Sequence, residues 1–413
     1  MKSFLYHYRY PILLVTIGLL WITLFDFLSQ MSAQGIVYPD SGSYVESAKN
    51  LYVFYRGHNY RPILMALING IPYLFGGNDS TVLRFGFYVN VCCWLALLLL
   101  LFHLLKSFVA ERIAFLFTLV AMAIIGNTAL LFHLLTENIY MLFILVGFYG
   151  IYRYLKEKDY RYVAVALSVF VLSMLIKPGS KFLAILFLLY FGRVILKNYK
   201  SKYSLVLYAS IGMVLLQCAG LKYQFGSFTV SYIDSVTYYN YLGSKAVCVE
   251  YGKEYSQMNN PRAEYLFSLD TEQQKRLASD DLKQQLQYNK LNLAKAYVLD
   301  VIENTKTGNT CIEDCRNVGH TANFSFWNKL FMTLSKWQNR CFTVLALFLS
   351  LYYIVKQHKR DEFGFLIAGY IGYIIATSGI SCGQGDRFHL VTFPFVILLL
   401  VRFLRQQKLV KEA

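Results

Sequence analysis

Four ionisable side chains stand at the ends of long apolar segments in separate parts of this sequence. They are Asp40, Glu137, Lys177 and Arg387. A carboxylate can accept the proton of a hydroxyl or amine when it lies within hydrogen-bond reach. A planar guanidinium can bind phosphate, and a lysine can add a second positive charge. If the chain brings them together, the four side chains could remove a proton and stabilise a departing phosphate.

Asp40 lies in the polar stretch 38–44, directly after the first apolar segment. It could serve as a reactive carboxylate, or it could cap a helix that runs to about Tyr55. The two interpretations are compatible, because a capping carboxylate can still face a cleft. A basic and aromatic strip follows, containing His58 and Arg61. Within this strip only His58 can exchange a proton near neutral pH.

The other charged positions also allow two interpretations each. Glu137 begins an apolar helix and could either join a site or lie at the lipid headgroups, where a helix N-terminus favours its charge. Lys177 and Lys181 occupy a short turn and could bind phosphate or extend to headgroups. Asp386 and Arg387 could form a plain turn, pair with each other or contact a substrate.

The composition predicts a membrane protein. Of the 413 residues, 56% are hydrophobic and only 15% are charged, whereas soluble domains carry about 25% charged residues. Several apolar runs exceed the ~18 residues needed to cross a bilayer. Lipid excludes open sheets because their backbone groups would lack partners. We therefore expect an all-α polytopic membrane protein whose first apolar run is a retained span.

The spacing of apolar and basic residues predicts the topology. We expect about ten spans, at 10–28, 82–105, 112–127, 137–152, 161–176, 181–196, 204–221, 338–355, 363–381 and 388–404. Every second loop is rich in Lys and Arg, which places both termini in the cytoplasm. This loop charge also accounts for the net charge of +16, so no nucleic-acid partner is expected.

Three parts of the chain follow from this topology. Residues 1–221 form a membrane domain with seven spans, whose first external loop, 29–81, contains an interfacial or re-entrant helix between Pro62 and Phe75. Residues 222–337 form a mostly helical external insert, with helical character from Thr271 to Tyr297 and Thr271 as a cap. Residues 338–413 contribute three further spans. The expected external segments contain four cysteines that allow a disulfide without fixing its pairing: Cys248, Cys311, Cys315 and Cys382.

Five short motifs, spread over the membrane part, carry a resemblance to the glycosyltransferase C superfamily. They are Tyr38-Pro39-Asp40-Ser41-Gly42-Ser43-Tyr44, Tyr60-Arg61-Pro62-Ile63-Leu64, Leu135-Thr136-Glu137-Asn138, Ile176-Lys177-Pro178-Gly179 and Asp386-Arg387-Phe388-His389-Leu390. Members of this superfamily are integral-membrane enzymes that take a sugar from a polyprenyl phosphate carrier. Many have two adjacent acidic residues in the first loop. Here Asp40 is followed by Ser41, which leaves the use of a divalent metal open.

The resemblance implies roles for nine residues. Asp40 would be the general base, and Glu137 would orient a substrate or complete a metal site. The phosphate and lipid carrier would be bound by Arg61, Lys177, Arg387 and His58. The acceptor or sugar would be oriented by Tyr44, His133 and Asp386.

The function expected from this resemblance is sugar transfer at the external face of a membrane, which is the periplasmic side of the inner membrane if the source is bacterial. The partners would be the bilayer, a lipid-linked sugar donor and a glycan, lipid or protein acceptor. Two alternatives remain open at this point: a transporter or flippase of lipid-linked glycans, and an O-antigen polymerase or ligase. A transporter should carry charges within its spans and often shows inverted repeats, whereas here the charges lie at the ends of the apolar segments.

Overall fold

A computed structural model describes residues 2–32, 39–257, 259–313 and 322–410. Throughout these ranges the regular elements are helices, and no strand is assigned. In chain order they are α1 (Lys2–Ser29), α2 (Pro39–Tyr52), α3 (Ile63–Asn69), α4 (Asp79–Leu105), α5 (Glu111–Met122), α6 (Ile125–Ala129), α7 (Glu137–Glu157), α8 (Tyr160–Ser173), α9 (Lys181–Tyr190), α10 (Gly192–Lys197), α11 (Ser204–Phe225), α12 (Ile233–Thr237), α13 (Ser244–Glu250), α14 (Pro261–Ser268), α15 (Thr271–Tyr288), α16 (Lys290–Lys306), α17 (Thr310–Glu313), α18 (Ala322–Tyr352), α19 (Glu362–Ser378), α20 (Arg387–Leu390) and α21 (Phe393–Gln406).

Among the described residues, five helices are long and apolar enough to cross a membrane: Tyr8–Ser29, Asp79–Leu105, Glu137–Glu157, Ser204–Phe225 and Phe324–Gln357. The pair α5 and Ile125–Phe132 makes a sixth if a 63° bend is allowed within one span. A helix lies at each of the ten predicted positions, but α8 has only 14 residues and covers about 21 Å at 1.5 Å per residue. The structure thus supports an all-helical membrane protein, and the count of ten spans stays a prediction.

The helix ends differ from the sequence prediction within the insert. Asp270, and not Thr271, caps α15: its carboxylate accepts a hydrogen bond from the Gln273 backbone N–H, and the Gln273 side chain accepts from the Asp270 N–H. The expected single helix to Tyr297 is interrupted at Asn289, and α16 begins at the next residue, Lys290. The helices α11, which continues to Phe225, and α18, which begins at Ala322, extend past the predicted ends of the insert, whose bounds stay a prediction.

An aromatic core fixes the helices that carry the candidate site. The Phe148 ring, on α7, lies 5.6 Å from the Phe170 ring of α8 and 5.7 Å from the Phe187 ring of α9. It also lies 5.7 Å from Tyr370 of α19 and 5.4 Å from Phe395 of α21. Interlocked rings of this size bury about 150–250 Å² each. One residue of α7 therefore holds together four helices from distant parts of the sequence.

The insert is tied to the loop that precedes Arg387. Asn304 of α16 donates hydrogen bonds to the carbonyls of Ser378 (2.9 Å) and Ser381 (2.7 Å), at the end of α19. Both bonds are buried, so each stabilises the contact by about 1 kcal/mol. The insert therefore helps to position the polar turn 379–386. The Cys382 thiol, in this turn, and that of Cys248 are free, whereas Cys315 lies outside the described residues.

Candidate functional site

Five side chains of alternating charge form one continuous chain of ion pairs. Arg61 Nη2 lies 2.8 Å from Asp40 Oδ1, and Asp40 Oδ2 lies 3.0 Å from Arg387 Nη1. Arg387 Nη2 lies 3.0 Å from Glu137 Oε1, which is also 3.2 Å from Lys177 Nζ. We call these five residues the charged cluster. The four charged residues singled out in the sequence thus meet in one place, and Arg61 joins them.

Each member of the charged cluster lies at or beside the start of a helix. Asp40 is the second residue of α2, Glu137 opens α7 and Arg387 opens α20. A helix N-terminus carries partial positive charge, which favours the two carboxylates there. Lys177 precedes a short turn that leads into α9. The aromatic core packs α7 against α9 and α21, so the start of α7, where Glu137 lies, is held by packing as well as by ion pairs.

Glu137 and Arg387 are buried, with relative exposures of 1% and 6%. A buried charge is strongly unfavourable unless it is paired and hydrogen-bonded. Glu137 Oε1 accepts from Lys177 and from both Nε and Nη2 of Arg387. Because these bonds show that the Glu137 carboxylate faces protein, they contradict the alternative in which it lies at the lipid headgroups.

Asp40 is held as an anion. Burial alone would raise its pKa, but Arg387 and Arg61 outweigh that effect and lower the pKa to about 2. Its two oxygens each accept from a different guanidinium. The side chain is still about one-third exposed, at 34%. Asp40 therefore does not act as a simple helix cap, and a ligand can approach it from outside.

Tyr44 supports Arg61 and does not face an open space. The Arg61 guanidinium lies 4.4 Å from the centre of the Tyr44 ring, and its Nη1 donates to the Tyr44 hydroxyl at 3.3 Å. Arg61 Nε donates to Ser43 Oγ at 2.8 Å. One turn of α2 thus fixes the direction of the Arg61 side chain toward Asp40. Tyr44 thus contacts Arg61, and its expected role in orienting an acceptor stays a prediction.

His58 and His133, two further residues of the predicted site, lie outside the charged cluster. His58 Nδ1 accepts from the backbone N–H groups of Tyr60 and Arg61, and its Nε2 lies 3.6 Å from Glu46. His133 is buried, and burial together with Arg387 lowers its pKa to about 4, so it is neutral. Its proximity to Arg387 makes it part of the wall of the site.

Asp386 is turned away from the charged cluster. Its Oδ1 accepts from Asn309 Nδ2 at 2.8 Å, and its Oδ2 packs against Gly126. Burial raises the pKa of Asp386 to about 8, more than the hydrogen bond from Asn309 lowers it. The carboxyl is therefore protonated at neutral pH. Asp386 thus stabilises the turn before Arg387. This geometry gives no support to its expected role in orienting an acceptor.

The pKa of Asp386 predicts a pH-dependent stability. Between its unfolded value of 3.8 and about 8, the folded protein retains a proton that the unfolded chain releases, so stability falls as pH rises through this window. The decline is at most about 1.4 kcal/mol per pH unit. Asp386→Asn should lose this decline, because the amide does not titrate. Thermal unfolding of both proteins at pH 5, 6.5 and 8 measures it, and parallel profiles would contradict the assignment.

Two neutral polar residues of the site were missed in the sequence. Tyr241 accepts a hydrogen bond from Gln257 Nε2 at 2.7 Å, and burial, followed by the charge of Asp40, raises its pKa to about 12. Gln384 accepts from Arg387 Nη1 at 3.3 Å. For Tyr241, the signal available in the sequence was an aromatic run within a polar insert, Tyr238-Tyr239-Asn240-Tyr241. Gln384 stands between Gly383 and Gly385, both at positive φ, which was also visible as a Gly-x-Gly turn.

A divalent metal does not fit the charged cluster. Within the described ranges, no three His, Cys, Asp or Glu side chains are grouped so that they could hold a metal ion. The two carboxylates of the charged cluster are separated by Arg387, which contacts both. A guanidinium occupies the position between the acids, so these residues do not fit a divalent cation.

The charged cluster can bind an anion and accept a proton in the same place. Three cations surround two carboxylates, and Asp40 is the carboxylate that remains partly exposed. Charge-assisted hydrogen bonds from guanidinium and ammonium groups are the usual means of holding phosphate. The chain matches no protein-family model, no curated protein and no solved structure, so the resemblance to the glycosyltransferase C superfamily rests on the motifs alone.

Proposed function

We propose that this protein is a membrane glycosyltransferase that moves a sugar from a polyprenyl-phosphate donor to a glycan, lipid or protein acceptor. The observation that supports this most is the charged cluster, in which a partly exposed carboxylate lies between two guanidinium groups beside a buried carboxylate and a lysine. Such an arrangement supplies both a proton acceptor and a phosphate-binding surface.

The charge balance of the cluster suits a phosphodiester donor. Three cations and two carboxylates leave one net positive charge. A sugar linked through one phosphate to a polyprenol carries one negative charge at that phosphate. The bound donor would therefore neutralise the site without leaving an unpaired charge in a region of low dielectric, where unpaired charges are costly.

The proposed reaction is a displacement at the anomeric carbon. An acceptor hydroxyl or amine gives its proton to Asp40 while its oxygen or nitrogen bonds to that carbon. The bond between the carbon and the phosphate oxygen breaks, and its electron pair stays on polyprenyl phosphate. Arg387 and Lys177, with Arg61, stabilise the charge that develops there. Attack from the opposite face would invert the anomeric centre, as the resemblance implies.

The low pKa of Asp40 has a role in this proposal. In the structure both of its oxygens are held by guanidinium groups, so it is a poor proton acceptor. A donor phosphate that draws Arg387 toward itself would free one oxygen and raise the proton affinity of Asp40. The base would then become effective only when the donor is bound, which would limit unproductive chemistry.

The proposal includes the topology expected from the sequence: ten spans, both termini in the cytoplasm and the charged cluster at the external face. If the source is bacterial, that face is periplasmic. The segment α3 with the following turn Ile71–Phe75 supports an interfacial location, because Phe75 is 84% exposed. Such a segment could guide the polyprenyl chain toward Asp40.

The two neighbouring lysines, Lys177 and Lys181, offer a matched test of phosphate binding. Lys177 contacts Glu137 in the cluster, whereas Lys181 pairs with Asp234 of the insert. A charged hydrogen bond contributes about 1.5–3 kcal/mol, so Lys177→Gln should raise the KM for a polyprenyl-phosphate sugar by roughly tenfold to a hundredfold. Lys181→Gln should leave it within about twofold.

The measurement uses the full-length protein in lipid nanodiscs, with release of polyprenyl phosphate as the readout. Equal effects of the two lysine variants would contradict a phosphate site at Lys177. If the wild-type protein binds the donor and moves it across liposome membranes, but releases no polyprenyl phosphate with any acceptor, the flippase alternative replaces the transferase.

A further inference from the structure

An open groove of about 540 Å³ lies beside the end of α2, outside the charged cluster. The loop that follows α2 and the last turn of α11 form its two sides. The residues that matter here are Glu46, Asn50, Arg56, His58, Tyr223 and Gln224. None of them belongs to the ion-pair chain, and only His58 was expected from the sequence to bind a substrate.

Two tyrosines of this groove are almost fully exposed. Tyr55 is 87% exposed and Tyr223 is 92% exposed. Tyr55 also has a φ of +53°, a left-handed conformation that costs a bulky residue on the order of 1 kcal/mol or more. Residues in such conformations cluster at functional sites. Flat, exposed aromatic faces bind the apolar faces of sugar rings well.

The groove is close to electrically neutral. The Arg56 guanidinium is offset by the Glu46 carboxylate, and burial, the largest effect, lowers the pKa of His58. Asn50 Oδ1 accepts from Arg56 Nε at 3.1 Å, and Gln224 Oε1 accepts from the Gly57 N–H at 2.8 Å. A groove with balanced charge and side-chain amides does not favour an anion as its ligand. It suits hydroxyl groups, which both donate and accept hydrogen bonds.

A direct path of contacts connects the groove to the charged cluster. The ring of His58 lines the groove, and its Nδ1 accepts from the Arg61 backbone N–H at 3.2 Å. The Arg61 guanidinium in turn binds Asp40 at 2.8 Å. A ligand in the groove would therefore lie beside His58, which contacts the residue that binds the proposed base.

We propose that this groove binds the neutral saccharide portion of the acceptor, away from the group that reacts. Its role in transfer rests on the proposed function, but saccharide binding itself does not. Binding energy from such a remote part of a substrate can be used to orient the reacting group. The alternative occupant, a lipid headgroup in contact with Tyr223, is an outcome of the test.

The test measures binding of neutral pentasaccharides (maltopentaose, cellopentaose and chitopentaose) to the full-length protein in phosphatidylcholine nanodiscs, by saturation-transfer difference NMR. We expect at least one of them to bind. Tyr223→Leu keeps apolar bulk but removes the aromatic face, and should weaken binding about tenfold. Tyr223→Trp keeps an aromatic face and should retain binding. Tyr88→Leu, an exposed tyrosine on α4 away from the groove, is the matched control.

Two results would overturn the inference. One is that no pentasaccharide binds the wild-type protein while its thermal unfolding shows that it is folded. The other is equal weakening by Tyr223→Leu and Tyr88→Leu, which would assign these tyrosines to the lipid interface. Donor turnover separates this inference from the proposed function. Saccharide binding through Tyr223 without any sugar transfer refutes the transferase alone, whereas transfer without such binding refutes the groove.

Discussion

Replacing Arg387 by glutamine is expected to abolish sugar transfer, with a loss of about a thousandfold or more in kcat/KM. Arg387 is the one member of the charged cluster that contacts both carboxylates, through Nη1 to Asp40 and through Nε and Nη2 to Glu137. In the proposed reaction it also stabilises the departing phosphate. Removing a single preorganised donor to a developing negative charge typically costs about 10²–10³ in rate, and this substitution also removes the side chain that positions both carboxylates.

Arg387→Gln should also destabilise the fold, because among the described residues it leaves the buried Glu137 carboxylate with Lys177 as its remaining cationic partner. Breaking a buried ion pair in this way costs roughly 3–5 kcal/mol. Arg387→Lys keeps the charge and should fold better. It still cannot reach two carboxylates with a planar fork, so its activity should stay at least about a hundredfold below that of the wild type.

Arg402 provides the matched control for Arg387. It lies on α21, and its Nη2 binds the carboxylate of Asp361, a residue outside the charged cluster, at 2.6 Å. Arg402→Gln should lower the thermal stability and leave the kcat/KM of the folded protein within about threefold. If it reduced transfer as strongly as Arg387→Gln at equal folded fractions, the effect of Arg387 would be one of stability and not of chemistry.

The meeting of Asp40, Glu137, Lys177 and Arg387 was predictable from the sequence because two simple rules apply to membrane proteins. Charges avoid lipid, so these residues had to lie at the ends of apolar segments. Alternating basic loops then assigned those ends to the same side of the membrane. The two rules predict a shared depth and side, which leaves little space over which four charges can be distributed.

The detailed partners were not predictable, since they depend on packing between distant segments. Asp386 and Arg387 are adjacent in the sequence, yet one carboxyl turns to Asn309 and the guanidinium turns to Asp40 and Glu137. The one-turn helix α20 that begins at Arg387 sends neighbouring side chains in different directions. The place of Tyr241 in the site was not predictable for a related reason. Tyr241 belongs to the polar insert, and hydropathy does not indicate how deep in the membrane a residue of such an insert lies.

Asp40→Asn is expected to lower kcat by about 10²–10⁴-fold, the usual contribution of a positioned proton acceptor. The amide keeps the shape of the carboxylate and can still accept one hydrogen bond from Arg61 or Arg387. It cannot take a proton from the acceptor. The KM for the polyprenyl-phosphate donor should change little or fall, because Arg387 would no longer be held by a competing carboxylate. Release of polyprenyl phosphate under saturating donor measures kcat, and equilibrium binding of the donor provides the comparison.

The pH dependence gives a second measure of Asp40. A carboxyl whose folded pKa is lowered from 3.8 to about 2 contributes stability that is fully present above pH 3.8 and is lost as pH falls through about 2. Asp40→Asn should therefore be less stable than the wild type at pH 7, and the difference should shrink toward pH 2. The variant should still unfold cooperatively at pH 7, so that its lost turnover can be assigned to chemistry.

Asp79→Asn is the control for Asp40→Asn. It shows how much activity is lost when a carboxylate is removed from the first turn of a helix without any catalytic role. Asp79 opens α4 and pairs with Lys49 at 3.2 Å, so it also combines a helix N-terminus with a cation. That pair is exposed and contributes about 0–1 kcal/mol. Its loss should leave transfer within about twofold of the wild type. If Asp40→Asn kept wild-type turnover, Asp40 would have only the structural role of Asp79. The charged cluster would then connect helices without supplying a catalytic carboxylate.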